Sequence, residues 1–176
     1  MNNFKTYNEV LELFRNNNCI GNENCIFITY KDGTQDGMKA GTAGLLGGAV
    51  GGAIGAFAAG MATEYDEILA GLGTYAGLII NQTENGFGII PLYSKGISLS
   101  LNIDKLELKP EKFMFINNEN IESISIKNFN IFTKNTKKLA IKLKNGTDIR
   151  LMARVSEKLI PYQQENFAKF MSRYVK

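Results

Sequence analysis

The sequence contains no histidine and no tryptophan, and of its 176 residues only two are cysteine and three are proline. Without histidine, the chain has no imidazole for general acid–base catalysis, for a Ser-His-Asp or Cys-His pair, or for a zinc site that uses histidine. Two cysteines cannot form a metal site alone. Because no nucleophile, base and orienting group come together at a recognisable spacing, we predict a protein that is not an enzyme and that needs no metal or cofactor.

The cysteines and the charge balance limit the compartment and the partners. Cys19 and Cys25 are too few for a disulfide framework, so we predict free thiols in a reducing compartment. The formal net charge of +3 is too small for the broad basic face that duplex binding needs, and we therefore predict no nucleic-acid partner. The start of the sequence lacks the features of a secretion signal, which predicts a cytoplasmic location.

Sequence patterning divides the chain into three regions. In residues 1–36, apolar residues at helical spacing over 3–15 predict an amphipathic helix, and the run 25–30 predicts a strand. Residues 37–76 are rich in glycine and small apolar residues. In residues 77–176 the apolar pattern changes to a period of two, which is typical of β-strands.

A segment without charged residues extends from Ala40 to Ala62. Six of its glycines fall at steps of four on two adjoining stripes of a helix: Gly44, Gly48 and Gly52, and Gly47, Gly51 and Gly55. Each glycine costs an isolated helix about 1 kcal/mol relative to alanine, but it lets two helix backbones approach closely in a membrane or in a protein core. This glycine-zipper pattern predicts helix packing through these six positions.

The environment of the zipper segment has two interpretations. As a helix it would be about 35 Å long, which is enough to cross a hydrocarbon core of about 30 Å. Membrane insertion would place its uncharged surface in lipid. The alternative is one helix, or a pair of short helices, packed closely within a soluble core or an oligomer.

About seven short strands are predicted between residues 77 and 154, among them one over 97–103 and two hairpins. A three-residue loop at 84–86 pairs apolar with apolar in the first hairpin: Leu78 with Leu92 and Ile80 with Ile90. The same loop length at 144–146 matches both faces of the last hairpin: Leu139 with Leu151, Ile141 with Ile149, and Lys142 with Asp148. Beyond Pro161, an apolar stripe predicts a closing amphipathic helix: Phe167, Phe170, Met171 and Tyr174.

This order of elements resembles the pleckstrin-homology superfold, including the PH-like and GRAM-like domains of bacterial proteins. The resemblance covers about residues 77–176 and is clearest in the run 113–126, in the hairpin strand 139–147 and in the closing helix. It implies an α+β fold: a curled antiparallel sheet or barrel of about seven strands, capped by the C-terminal helix. It also implies lipid recognition through basic residues near the first hairpin. This chain has Glu84 and no basic residue there, which argues against specific phosphoinositide binding.

A run of lysines is the candidate binding surface. No acidic residue occurs between Glu122 and Asp148, and within that stretch we select four lysines: Lys134, Lys137, Lys138 and Lys142. An anionic lipid surface would attract such a cluster. The alternative is a strand edge that its lysines protect from pairing with other strands.

The predicted function is that of a non-enzymatic, membrane-associated module in the cytoplasm. Residues 40–62 would anchor it or let it self-associate, and the PH-like region would bind a protein or an anionic lipid surface. One alternative is a membrane-permeabilising oligomer driven by the zipper segment. Another is a wholly soluble intracellular interaction domain.

Overall fold

The structure is a computed structural model that describes residues 4–32, 75–95, 103–129 and 133–175. The glycine-zipper segment at 40–62 lies outside these residues, and so do the predicted helix and its six glycines.

Two α-helices and eight strands form an α+β fold in the described residues. In chain order these are α1 (Tyr7–Asn16), β1 (Cys25–Lys31), β2 (Gly77–Gln82), β3 (Gly86–Ser94), β4 (Leu106–Leu108), β5 (Met114–Asn117), β6 (Ile121–Asn128), β7 (Thr136–Leu143), β8 (Asp148–Arg154) and α2 (Gln163–Tyr174). Single turns of 3-10 helix cover Ile103–Lys105, Pro110–Lys112 and Asn118–Asn120. All strand pairings are antiparallel, in the order β4-β3-β2-β1-β8-β7-β6, and β5 also pairs with β3.

The predicted elements agree with this arrangement in most places. The described residues between 77 and 154 contain seven strands, and the predicted N-terminal and C-terminal helices are present. The first helix begins later than expected, at Tyr7, because the side chain of Thr6 caps it by accepting a hydrogen bond from the Glu9 N–H. The predicted strand over 97–103 lies mostly outside the described residues, and its last residue, Ile103, is in a 3-10 helix instead.

The predicted register is correct for the last hairpin and wrong for the first. The last hairpin has the predicted pairs, including Lys142 with Asp148. In the first hairpin the register is shifted by one residue, so that Ile80 lies opposite Ile89 instead of Ile90. Every residue of β2 is buried, so either register puts apolar side chains opposite each other, and the sequence pattern cannot choose between them.

The sheet is covered differently on its two faces. On one face, residues of β1, β2, β3, β7 and β8 pack with Phe167 and Phe170 of α2 into the main core. On the other face, α1 covers β1 to β4 and forms a second core around Val10 and Phe14. A Cβ at Gly88 of β3 would lie 2.3 Å from Cys19 Sγ, so glycine is needed where the segment after α1 approaches the sheet.

The sheet divides where β1 and β8 move apart. These strands pair only through Tyr30 with Met152 and Lys31 with Leu151. If this register continued, the next pair with backbone groups directed toward each other would be Ile28 and Arg154. The side-chain amide of Gln163 lies between these two residues instead. Its Oε1 accepts from the Ile28 N–H at 2.8 Å, and its Nε2 donates to the carbonyl oxygens of Ile28 at 3.0 Å and Arg154 at 2.8 Å.

One turn later along α2, Asn166 extends this contact with β1. Its Oδ1 accepts from the Ile26 N–H at 3.3 Å, and its Nδ2 donates to the carbonyl oxygen of Tyr162. The helix therefore supplies hydrogen-bond partners that continued pairing of β1 with β8 would otherwise provide. The predicted barrel does not close: β4 and β6 lie at opposite ends of the sheet, and α2 fills the space where the strands separate.

We expect Gln163→Leu to lower the free energy of unfolding by about 3 kcal/mol, since each buried backbone group left without a partner costs about 1–3 kcal/mol. Gln164→Leu makes the same chemical change at the neighbouring exposed position and should change the stability by less than about 0.5 kcal/mol. Urea unfolding of both variants measures the difference. Equal stabilities would contradict the role given to Gln163.

Candidate interaction surface

The outer face of strands β6, β7 and β8 is the candidate site. It is the face turned away from α2 and the main core. The alternation along the three strands assigns these residues to it: Ser123, Ser125 and Lys127; Thr136, Lys138, Ala140 and Lys142; and Asp148, Arg150, Met152 and Arg154. It continues the face that α1 covers on β1 to β4, since Tyr30 pairs with Met152.

Small residues occupy the middle of the outer face. Ser125, Ala140 and Arg150 form one row across the three strands. Lys127, Lys138 and Lys142 lie in the neighbouring rows. Four cationic side chains thus lie around a small-residue floor formed by a serine and an alanine.

Three of these cations have carboxylate partners. Lys142 Nζ lies 2.8 Å from Glu122 Oε1, which raises the pKa of the lysine, and Arg150 Nη2 lies 2.6 Å from Asp148 Oδ2. Lys138 Nζ is 3.7 Å from Asp32 Oδ2, and it also lies 5.2 Å from the centre of the Phe129 ring. Cations and carboxylates therefore alternate on the outer face, and a negative charge compensates three of its four cations.

Two lysines lie opposite each other on the outer face, and one of them, Lys138, has Asp32 as a carboxylate partner. Lys127 and Lys138 lie directly opposite each other on β6 and β7. Like charges in such a cross-strand pair destabilise a sheet. An anionic group placed over this pair would relieve the repulsion.

The structure separates the four lysines selected from the sequence. Lys138 and Lys142 lie on the outer face. Lys137 has the opposite strand parity and donates to Asn128 Oδ1 at 2.6 Å, and Lys134 lies in the turn before β7. The structure adds Arg150, which only the pairing of β7 with β8 brings beside the lysines.

Glu84, the acidic residue of the first hairpin, binds the loop before β1. The N–H of Asn22 donates to Glu84 Oε1 at 3.0 Å, and this hydrogen bond is the main reason that the pKa of the Glu84 carboxyl group lies below its usual 4.5. The carboxylate occupies the space beside Gly21, where a Cβ would come within 2.1 Å of Glu84 Oε2. This contact ties the loop before β1 to the turn between β2 and β3.

Both cysteines are buried and free, as predicted. Burial raises the pKa of the Cys19 thiol to about 11 and also raises the pKa of the Cys25 thiol. Neither is suited to act as a nucleophile at neutral pH. Within the described ranges, no three Cys, Asp or Glu side chains are grouped so that they could bind a metal ion. None of the helices described has the length and apolar character needed to cross a membrane.

No family model, no curated protein and no solved structure matches the chain.

The Glu84 contact predicts a specific dependence of stability on pH. Because the pKa of Glu84 is lowered in the folded state, its contribution is fully present above pH 4.5 and is lost as the pH falls through the lowered value. We expect the native chain to melt at a higher temperature than Glu84→Gln at pH 6, and this difference to disappear by about pH 3. Glu111→Gln, at another exposed glutamate, is the control. A constant difference across this range would contradict the assignment.

Proposed function

We propose that the chain is a non-enzymatic, membrane-associated interaction module. In this proposal residues 40–62 anchor the chain or let it self-associate through the six zipper glycines. The described sheet and helices form a PH-like domain that binds a protein partner through the outer face of β6, β7 and β8.

The arrangement of strands supports the PH-like assignment. The described residues contain an antiparallel sheet and a C-terminal helix, and that helix contacts β1 where β1 separates from β8. The resemblance implies a curled sheet capped by such a helix, although the described sheet is open and not a closed barrel. The resemblance supports a binding module as the class of protein, and the choice of partner depends on the surface itself.

The observation that carries the proposal is the contrast between the two halves of one sheet face. Helix α1 and the segment around Tyr162 bury this face on β1 to β4, while the same face on β6 to β8 presents cations around a small-residue floor. A polar face with charged side chains around short ones is suited to recognise a complementary protein surface.

A protein partner fits this face better than a lipid surface does. Attraction to anionic lipid depends on net positive charge, at about 1 kcal/mol for each lysine or arginine near the membrane. Glu122, Asp148 and Asp32 offset most of the charge of the outer face. A protein with acidic groups over Lys127 and Lys138 would instead match the pattern of charges.

We expect the full chain to float with vesicles of phosphatidylcholine alone, because the proposed anchor is apolar and needs no anionic lipid. The double variant Val50→Lys/Ile54→Lys, which places two charges in the zipper segment, should remain at the bottom of the gradient. Flotation is read by immunoblot of each fraction.

The same vesicles discriminate between the alternative functions. Release of an entrapped dye by the native chain, absent in the double variant, would favour the membrane-permeabilising oligomer. Recovery of the native chain at the bottom would favour the soluble domain. If flotation requires phosphatidylserine, we would assign the lipid contact to the outer face of β6, β7 and β8 and not to the zipper segment.

We expect a photo-crosslinking residue at position 140 to capture a discrete partner in cells, because Ala140 lies at the centre of the outer face. The same residue at exposed position 164 on α2 should not capture it. Arg150→Glu should reduce the yield of the adduct at least about tenfold. The change replaces a cation of the outer face by a negative charge, which repels the acidic groups of the partner. Lys144→Glu, in the exposed turn after β7, is the charge-matched control. Adducts of equal yield at both positions, or unaffected by Arg150→Glu, would contradict the proposed surface.

A further inference from the structure

Strand β6 forms an end of the described sheet. It is eight residues long and pairs with β7 on one side, and no strand in the described part of the chain lies along its other side. The opposite end of the sheet is formed by β4 and β5, which have only three and four residues. A long, unpaired strand edge is a template for pairing with another strand, whereas a very short one is not.

The hydrogen bonds of β6 show which backbone groups face outward. The Phe129 N–H donates to the Thr136 carbonyl oxygen at 3.1 Å, so Phe129 directs its backbone groups toward β7. Successive residues of a strand direct these groups to opposite sides. Ser125 and Lys127 therefore also face β7, and the N–H and C=O groups of Ile124 and Ile126 point to the free edge.

The sequence of this edge is complementary to itself. If two copies of β6 run antiparallel with Ser125 opposite Ser125, then Ile124 of each copy lies opposite Ile126 of the other. These are the residues whose backbone groups are directed outward, so each pair can exchange two hydrogen bonds. Lys127 lies opposite Ser123, and no like charges face each other within 123–127.

Side chains on both faces of the sheet at β6 fit the same register. Ile124 and Ile126 are partly buried and pack on the main core, to which Met171 and Tyr174 of α2 also contribute. An isoleucine pair from a second copy would extend this apolar strip. The two Lys127 side chains would be four residues apart along the seam, which is about 13 Å and limits their repulsion.

Other registers are less favourable. A shift of two residues in one direction places Ile124 opposite Asn128. The shift in the other direction places Ile126 opposite Glu122. Each shift keeps only one apolar pair, so the pattern of β6 specifies the symmetric register.

We propose that two copies of this chain associate through β6, forming one antiparallel sheet that runs across both molecules. The partner is a second copy because its edge supplies apolar, hydroxyl and charged groups in the register that this edge requires. The association goes beyond the proposed function, and it joins the outer faces of the two copies into one surface that contains both Lys127–Lys138 pairs.

Two features of β6 also occur in edges that resist pairing. Lys127 points to the outer face, and the register shift between Ile121 and Ser123 marks a bulge at the start of the strand. The bulge lies outside 123–127 and therefore ends the complementary stretch without interrupting it. Lys127 lies beside a serine in the symmetric register, where its charge meets no other cation.

A cysteine at the symmetry axis tests this register. The Cα atoms of two Ser125 residues would be about 4.5 Å apart in a non-hydrogen-bonded pair, which permits a disulfide. We expect mild oxidation of the full-length Ser125→Cys variant, in a mild detergent, to give at least about tenfold more covalent dimer than oxidation of Ser123→Cys, whose counterparts are about 13 Å apart. The unmodified chain should give none, because its own two cysteines are buried.

Three results would overturn the proposal. The first is an equal yield of covalent dimer from Ser123→Cys, which would indicate random collision. The second is a monomeric mass of the unmodified chain by light scattering, a measurement that does not depend on the folding of a variant. The third is loss of the Ser125 disulfide on adding Gly48→Leu and Gly52→Leu, which would place the association in the zipper segment. Persistence of the disulfide in that background supports the strand edge and is independent of membrane anchoring.

Discussion

The fold depends on a single side-chain amide inserted between two strands. Gln163 takes the place of a strand by bonding both backbone groups of Ile28, and it reaches the carbonyl oxygen of Arg154 on β8. Because these buried groups have partners, β1 and β8 can separate at low free-energy cost. The apolar residues that follow, Phe167 and Phe170, then pack on Phe27 of β1. Hydrogen bonds fix the position of α2, and burial of aromatic surface stabilises it there.

The position of α2 decides which surfaces are left for binding. The inner face of β7 and β8 belongs to the main core, and isoleucines of β6 pack against it. The opposite face is divided between two environments, since α1 buries it on β1 to β4, whereas its residues on β6 to β8 are exposed or only partly buried. The candidate surface is thus a consequence of how the two helices share one sheet.

The sequence predicts features that depend on alternation with one polar face, and it fails where both faces are buried. Lys142 opposite Asp148 fixes the last hairpin, whereas the wholly buried β2 leaves the first register open. Period two along β7 also separates Lys138 from Lys137, but the contribution of Arg150 requires knowledge of the neighbouring strand. The role of Gln163 has no local signal, because its partner Ile28 lies 135 residues earlier in the chain.

Stability of the fold does not account for the charged groups of the outer face. The ion pair between Lys142 and Glu122 is exposed, and such pairs contribute about 0–1 kcal/mol. Lys127 and Lys138 are like charges on opposite strands, and Asp32 compensates Lys138. These side chains contribute little to stability, and they lie beside the edge of β6, which has no partner strand in the described part of the chain. Lys127 belongs to both the outer face and this edge, so it connects the proposed protein contact with the proposed association of two copies.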